Sequence, residues 1–484
     1  MTIHILNYIN GEWIPSQNGK TISITNPAHP NEIVGRVQAS TASDVLAACD
    51  AAEKAAKSWG FLSPTVRAQF LQKAADILEV RKDEIAETAT REMGKRFIET
   101  KGEVTRAVTI LRYYAQEGFR KIGEVLPSAF QDHLLYSLRV PLGVVGIISP
   151  WNFPIAIPIW KIAPALIYGN TVVFKPATET GITGAKLVEV FDEAGVPEGV
   201  INFVTGKGSE IGHSLVGNPN VDAITFTGSN IVGKTIAQLA VETRKKYQLE
   251  LGGKNPAIVL EDADLELAAK LVVEGAMKQT GQRCTATSRV YIQSSIYETF
   301  KQLVTDELKL FKVGDGLNQD ITFGPVASKN QYETVLNYIR LGLEEGATLA
   351  YGGEEANQEN QADGYFIKPC LFENVTNEMR IAKEEIFGPI LCMIKVNSYE
   401  EALSQANKTN YGLSASLFTK DLKKSLDFVR NSEVGMVQIN GETGGAEPQA
   451  PFGGMKESSS GTREQGQAAV EFFTAYKTVS INPN

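Results

Sequence analysis

The 484-residue chain carries 47 basic and 56 acidic side chains, a formal net charge of −9, which argues against nucleic acid as a partner because phosphate binding needs a basic face. Its 43% hydrophobic and 21% charged residues are ordinary for a globular protein, and its length predicts two or three domains rather than one core. Four cysteines and four histidines lie scattered, so neither a disulfide framework nor a metal cluster is expected.

No basic-then-apolar leader opens the sequence and no apolar run reaches bilayer length, so a cytoplasmic protein off the membrane is expected. Ile9-Asn10-Gly11-Glu12-Trp13 reads as a hairpin turning at Asn-Gly. Pro27 and Pro30 keep the next stretch extended. A helix capped at Thr41 or Ser43 runs toward Lys57, and Ser63-Pro64 opens a second, helical from Thr65 to Thr90. A third covers Phe97 to Phe119. Leu134 to Val140 is β-prone and reads as a protruding arm.

From Val144 short apolar strands alternate with helices. Strands are predicted at 144–148, 171–174, 200–204, 223–226 and 248–251, with helices at 155–166, 182–194, 210–216 and 231–242. Strands buried on both faces and joined by helices form a doubly wound parallel sheet, with ligands beyond the strands' C-terminal ends. After Gly253 a second α/β unit follows, with strands at 256–260, 288–292, 391–396, 414–418 and 437–440. Its helices are predicted at 265–278, 297–310, 331–345, 399–406 and 423–431. Gly352 to Gly364, polar and glycine-rich, reads as a surface loop.

Candidate chemistry gathers at strand ends. Cys284, in Gly281-Gln282-Arg283-Cys284-Thr285, sits in polar surroundings, unlike Cys392 in an apolar run. A nucleophilic thiol needs a base or a cation nearby, and Glu250-Leu251-Gly252-Gly253-Lys254 supplies a carboxylate upstream; a buried structural thiol is the alternative. Asn152, in Pro150-Trp151-Asn152-Phe153-Pro154, can offer an N–H to an oxyanion or can cap a helix. Lys175 ends a strand, where it meets phosphate or ribose oxygens or stays solvated. Phe226-Thr227-Gly228-Ser229 opens a helix whose N-terminal amides suit an anion. Glu385 and Phe387, in Glu384-Glu385-Ile386-Phe387-Gly388-Pro389, can hold ribose hydroxyls and pack on a flat ring. Arg283 can pair with an anionic substrate tail or with a structural carboxylate.

These motifs, in this order, together with Asn410-Tyr411-Gly412-Leu413-Ser414-Ala415 and Pro451-Phe452-Gly453-Gly454, resemble the aldehyde dehydrogenase superfamily over essentially the whole chain. The resemblance implies a doubly wound cofactor domain (1–121 and 142–252), an α/β catalytic domain (253–465) and a β oligomerisation arm (122–141 and 466–484) that joins a homodimer or homotetramer. It implies Cys284 as nucleophile, Asn152 as oxyanion donor and Glu250 as the base that activates water. Ser149, Trp151, Lys175, Thr178, Gly208, Gly228, Ser229, Leu251, Glu385 and Phe387 would hold NAD or NADP, and no metal is implied. Many NAD-preferring relatives carry glutamate where this chain has Thr178, so NADP⁺ is expected to be used well. The C-terminal run from Glu447 to Thr474 looks like the branch acting on 2-oxoglutarate semialdehyde (2,5-dioxopentanoate). Succinate semialdehyde and glyceraldehyde-3-phosphate oxidation are the competing activities, and a non-catalytic nucleotide-binding protein is the competing class.

Overall fold

The computed structural model describes residues 3–353 and 364–483. Most of the glycine-rich stretch expected as a surface loop therefore lies outside the described residues.

The first unit is built on an eight-stranded sheet. Its middle strands Lys246–Glu250, Ala223–Thr227, Val144–Ile148, Thr171–Lys175 and Ile201–Phe203 are parallel. Strands Val144–Ile148, Thr171–Lys175 and Ile201–Phe203 advance to one side; the chain then crosses back and lays Ala223–Thr227 and Lys246–Glu250 on the other. The reversal falls between Val144–Ile148 and Ala223–Thr227, the kind of switch point where a doubly wound sheet opens a crevice. All five residues of Ala223–Thr227 and of Thr171–Lys175 are buried, as strands covered on both faces must be.

The second unit holds a seven-stranded sheet ordered Thr348–Tyr351, Cys370–Glu373, Ile390–Val396, Thr287–Gln293, Asn255–Val259, Ser414–Phe418, Met436–Ile439. Its pairings are parallel except at Thr348–Tyr351. A separate three-stranded antiparallel sheet joins Gly123–Leu126, Leu134–Pro141 and Thr474–Ile481. Across it stand the exposed side chains of Val125, Leu134, Tyr476 and Ile481.

The Asn-Gly hairpin forms with Asn10 and Gly11 both at positive φ, as its turn type requires. Thr41 caps the helix Ala42–Phe61 through a capping box with Asp44. The helix expected from Thr65 to Thr90 is two, Pro64–Val80 and Lys82–Met93, broken at Arg81. Arg81 there pairs with Glu84, Glu189 and Glu193, tying the break to the helix Gly181–Glu193. The stretch around Pro27 and Pro30 is extended but folds as a hairpin of Thr21–Asn26 with His29–Gln38. One strand and one short helix cross the expected unit boundaries: Ser459–Ser460 pairs with the strand Lys246–Glu250 of the first sheet, and Phe472 and Phe473 of the helix Ala469–Phe473 bury in the first unit's core.

Among the described residues no helix is long and apolar enough to cross a membrane, and no cluster of metal-ligating side chains occurs.

Candidate active site

The helix Leu265–Met277 ends in a tight turn, Lys278–Gly281, where Gln279, Thr280 and Gly281 have φ of 53°, 59° and 70°. Consecutive left-handed residues are unfavourable for side-chain-bearing amino acids, so contacts must impose them. Gln279 donates from Nε2 to the Asn152 carbonyl at 2.9 Å, and Thr280 Oγ1 donates to the Gly324 carbonyl at 3.0 Å. A Cβ at position 281 would stand 2.2 Å from the Gly388 carbonyl oxygen. Asn152, not a helix cap, donates from Nδ2 to the Gln282 carbonyl at 2.9 Å. Beyond the thiol, Asn255 Nδ2 donates to the carbonyls of Cys284 and Ala286 at 2.8 and 2.9 Å, while its Oδ1 accepts from the Ser414 N–H at 3.1 Å. One asparagine from each unit thus holds the loop on either side of the sulfur.

Cys284 is partly exposed, whereas Cys49, Cys370 and Cys392 are buried. Crowding by protein, then the carboxyl groups of Glu385 and Glu250, pushes its thiol up to about 12; Arg283 and the Thr285 N–H act the other way. Glu250, the last residue of its strand, is fully enclosed. Burial, and after it the charge of Glu464, holds its carboxyl well above the usual carboxylate range. One oxygen accepts from Ser459 Oγ at 2.8 Å and the other, Oε1, has no partner. Gly453, at φ 149°, lies against that free oxygen, where a Cβ would come within 2.7 Å.

Beneath Glu250 lies a polar group that sequence reading missed. Every residue of the helix Ala156–Ile167 is buried, Lys161 included, so its ammonium needs a partner. It pairs with Glu464 and donates to Thr225 Oγ1 at 2.8 Å, while Trp160 Nε1 donates to the other Glu464 oxygen at 2.7 Å. The available signal was a lone lysine in an apolar helix; its partner is 303 positions away.

The residues expected to hold a dinucleotide collect along the C-terminal edge of the first sheet. Ile148 stands opposite Lys175, and Thr227 opposite Glu250. The Ser149 N–H donates to the Lys175 carbonyl at 3.2 Å and the Gly228 N–H to the Glu250 carbonyl at 3.1 Å. Ser149 Oγ and Thr227 Oγ1 are buried without partners, and the helix Asn230–Glu242 starts there on Ser229. Unpaired hydroxyls beside free helix amides fit the phosphates and ribose of a dinucleotide. Leu251 packs on Gly233, where a Cβ would come within 2.5 Å of it. Lys175 is 4% exposed; burial lowers its ammonium to about 8 although Glu179 acts against this. Thr178 Oγ1 donates to the Gly206 carbonyl at 3.1 Å. Gly208 begins the helix Gly208–Val216 with open space beside it. From the second unit, Phe387 meets the Trp151 ring edge-on at 5.4 Å. Glu385 accepts from the Gly253 N–H at 2.9 Å, and burial raises its carboxyl to about 7.

A cavity of about 270 Å³ opens on Cys284, walled by Phe153, Trp160, Phe452, Arg106 and Arg283 among others. Arg283 donates to the Gly275 carbonyl at 2.7 Å and stands 3.5 Å from Glu442, so the structural carboxylate is present beside it. Sequence reading passed over Arg106, Glu442, Asn255 and Gln279, which no motif distinguishes.

A doubly wound sheet whose C-terminal edge carries unpaired hydroxyls and a free helix N-terminus, beside a thiol, an amide and a carboxyl group, fits the class of nicotinamide-dependent oxidoreductases. Residues 13–479 match the model of the aldehyde dehydrogenase family. The chain belongs to that family and is an NAD(P)-dependent aldehyde dehydrogenase. It is 56% identical to the alpha-ketoglutaric semialdehyde dehydrogenase of Bacillus subtilis, across 99% of this chain and 98% of that protein. It is 42% identical to the 2,5-dioxopentanoate dehydrogenase of Saccharolobus solfataricus, across 97% of each. The crystal structure of betaine aldehyde dehydrogenase from Staphylococcus aureus in complex with NAD⁺ superposes with a TM-score of 0.96 at 34% identity, covering 99% of this chain and 95% of that one.

Proposed function

We propose that this enzyme oxidises 2-oxoglutarate semialdehyde to 2-oxoglutarate. The observation that carries this reading is the cavity beside Cys284 with Arg106 and Arg283 in its wall, in a chain so close to relatives named for that substrate. Cys284 is the nucleophile: its proton passes to Glu250 and on to solvent, its sulfur adds to the aldehyde carbon, and the resulting oxyanion takes hydrogen bonds from the Asn152 side chain and the Cys284 N–H. As the carbonyl re-forms, the hydride leaves the former aldehyde carbon, and NAD(P)⁺ held by the residues named below would supply the hydride acceptor. A thioester remains on Cys284. Glu250 takes a proton from water, which attacks the thioester and frees the carboxylic acid and the thiol. In sum, aldehyde, water and NAD(P)⁺ give carboxylate, NAD(P)H and two protons.

Ser149, Trp151, Lys175, Thr178, Gly208, Gly228, Ser229, Leu251, Glu385 and Phe387 would hold the cofactor. A carboxylate at position 178 would repel a 2′-phosphate, whereas the Thr178 hydroxyl, three residues from Lys175, can hydrogen-bond it, so NADP⁺ is used well. Arg283 adds positive field to the substrate wall, shared with Glu442. The arm sheet, apolar and exposed on Val125, Leu134, Tyr476 and Ile481, joins subunits into a dimer or tetramer. Residues 1–121 and 142–252 work as the cofactor domain and 253–465 as the catalytic domain. We place the enzyme in the cytoplasm, where its thiols stay reduced.

The test is a panel of aldehydes with each cofactor, followed by NAD(P)H absorbance. The expected result is highest kcat/KM on 2,5-dioxopentanoate; acetaldehyde or benzaldehyde outperforming every carboxylated aldehyde refutes it.

A further inference from the structure

The short strand Ser459–Ser460 forms one edge of the first sheet, and its register is fixed: Leu249 stands opposite Ser460 and Glu250 opposite Ser459. Two further bonds lock it from both sides. The Ser458 carbonyl accepts from the Leu251 N–H at 2.8 Å, and Ser458 Oγ accepts from the Gly412 N–H of the second unit at 2.9 Å. Residues directly opposite in an antiparallel pair share a face of the sheet. The backbone therefore brings the Ser459 hydroxyl to the Glu250 carboxyl.

Ser459 Oγ accepts from the Gly454 N–H at 2.6 Å and lies 2.8 Å from Glu250 Oε2. A hydroxyl carries a single proton to donate, and among the described residues the acceptor bonded to it is Oε2. An oxygen already receiving that proton is the poorer seat for one of its own, so a proton taken up by Glu250 goes to Oε1. That oxygen is buried without a partner. It faces the gap beside Gly453, where a Cβ would come within 2.7 Å of it. The two oxygens of one carboxyl group thus differ: one is tethered and the other is free.

Other groups act on Glu250 from around it. Burial first and Glu464 next raise its carboxyl, whereas the Ser459 hydroxyl, then Lys161 and Arg463, favour the ionised form. The Cys284 thiol lies within the field of Glu250 in turn. Of these groups Ser459 is the one hydrogen-bonded to the carboxyl, which makes it the group able to choose between the two oxygens.

We infer that Ser459 is the positioning residue of the base: it pins Oε2 of Glu250 and leaves Oε1 as the atom that exchanges protons during thioester hydrolysis. The inference rests on the reading of Glu250 as that base. In the step it serves, the oxygen of water bonds to the thioester carbon while one water proton passes to Oε1. The C–S bond then breaks with its electron pair on sulfur, the sulfur takes the proton from Oε1, and the carboxylic acid is released.

The test follows acyl-enzyme hydrolysis across pH by rapid quench and intact-mass spectrometry, in the wild type, Ser459→Ala, Ser459→Thr and Glu250→Gln. Enzyme and NAD(P)⁺ are mixed with whichever aldehyde of the panel turns over fastest, so the result is independent of the substrate reading. Ser459→Ala takes a hydrogen bond from the ionised carboxyl, so the acidic limb of hydrolysis moves to higher pH. Near neutral pH the hydrolysis slows about tenfold. Ser459→Thr, which keeps the hydroxyl, returns both the limb and the rate. A Ser459→Ala limb that stays in place, or a Ser459→Thr variant as slow as Ser459→Ala, overturns the role of Ser459 alone. Glu250→Gln hydrolysing its thioester at the wild-type rate overturns the base reading, and the role of Ser459 with it. Circular dichroism identifies a variant that does not fold; Ser459→Gly, which also lacks the hydroxyl, then carries the test with the same two outcomes.

Discussion

Replacing Glu464 by glutamine changes one oxygen to an amide nitrogen, and the buried geometry around it fixes the consequence. One Glu464 oxygen accepts from Lys161 and from Thr225, the other from Trp160. Whichever way the new amide turns, its NH₂ faces a donor: the lysine ammonium in one orientation, the indole N–H in the other. Lys161 and Glu464 have side chains 1% and 3% exposed, so solvent cannot take over. Removing one partner of such a pair costs about 3–5 kcal/mol. Adding Lys161→Met removes the stranded ammonium and recovers roughly 2 kcal/mol of that loss, a coupling within the range for residues in contact. The same substitution reaches the chemistry through Glu250, whose carboxyl is raised first by burial and next by the Glu464 charge. With that charge gone and Lys161 unmatched, the Glu250 pKa falls toward its ordinary value. A general base works deprotonated, so the rise of the acyl-hydrolysis rate with pH moves to lower pH. Urea unfolding followed by tryptophan fluorescence measures the first effect, and single-turnover thioester hydrolysis across pH the second. A stability loss under about 1 kcal/mol, or an acidic limb that stays in place, refutes the reasoning.

Gly281→Ala puts a Cβ at φ 70° against the backbone of Gly388, which costs ~2–5 kcal/mol; cofactor binding is expected to survive and aldehyde turnover to collapse, and full turnover would contradict this. In the free enzyme the Cys284 thiol, up at about 12, reacts with iodoacetamide at pH 8 on the order of 100-fold or more slower than free cysteine. That rate keeps climbing through pH 10, and the cationic nicotinamide of added NAD(P)⁺ accelerates it; a plateau below pH 8 would sink the assignment. Thr178→Glu lowers the NADP⁺-to-NAD⁺ ratio of kcat/KM by about 100-fold through repulsion of the 2′-phosphate, read from initial rates with each cofactor.

Sequence reading reaches the two sheets because their strands are apolar runs separated by helices, a pattern local to each segment. It singles out Cys284, Glu250 and Asn152 because each sits in a short motif, Glu250 at a strand's end and the other two in loops between elements. It does not reach Lys161 and Glu464, or Arg106 and Gln465, because these pairs meet only through tertiary packing across 303 and 359 positions. The break at Arg81 escaped notice for a similar reason: the apolar spacing continues through it, and the acidic partners that hold the bend belong partly to another helix. The hairpin ending in His29–Gln38 was hidden by its prolines, which local reasoning takes as extended chain rather than as paired strand.

The backward-wound turn Gln279–Gly281 has a consequence for how this enzyme can change. Its shape depends on neighbours that are mostly main chain, the carbonyls of Asn152, Gly324 and Gly388, and main chain does not mutate. The sulfur is therefore seated in a mount that drift in nearby side chains barely disturbs. New specificities in this lineage would have to come from the walls facing it, at positions such as Phe452 or Ala446, where a side chain can be exchanged without moving the nucleophile.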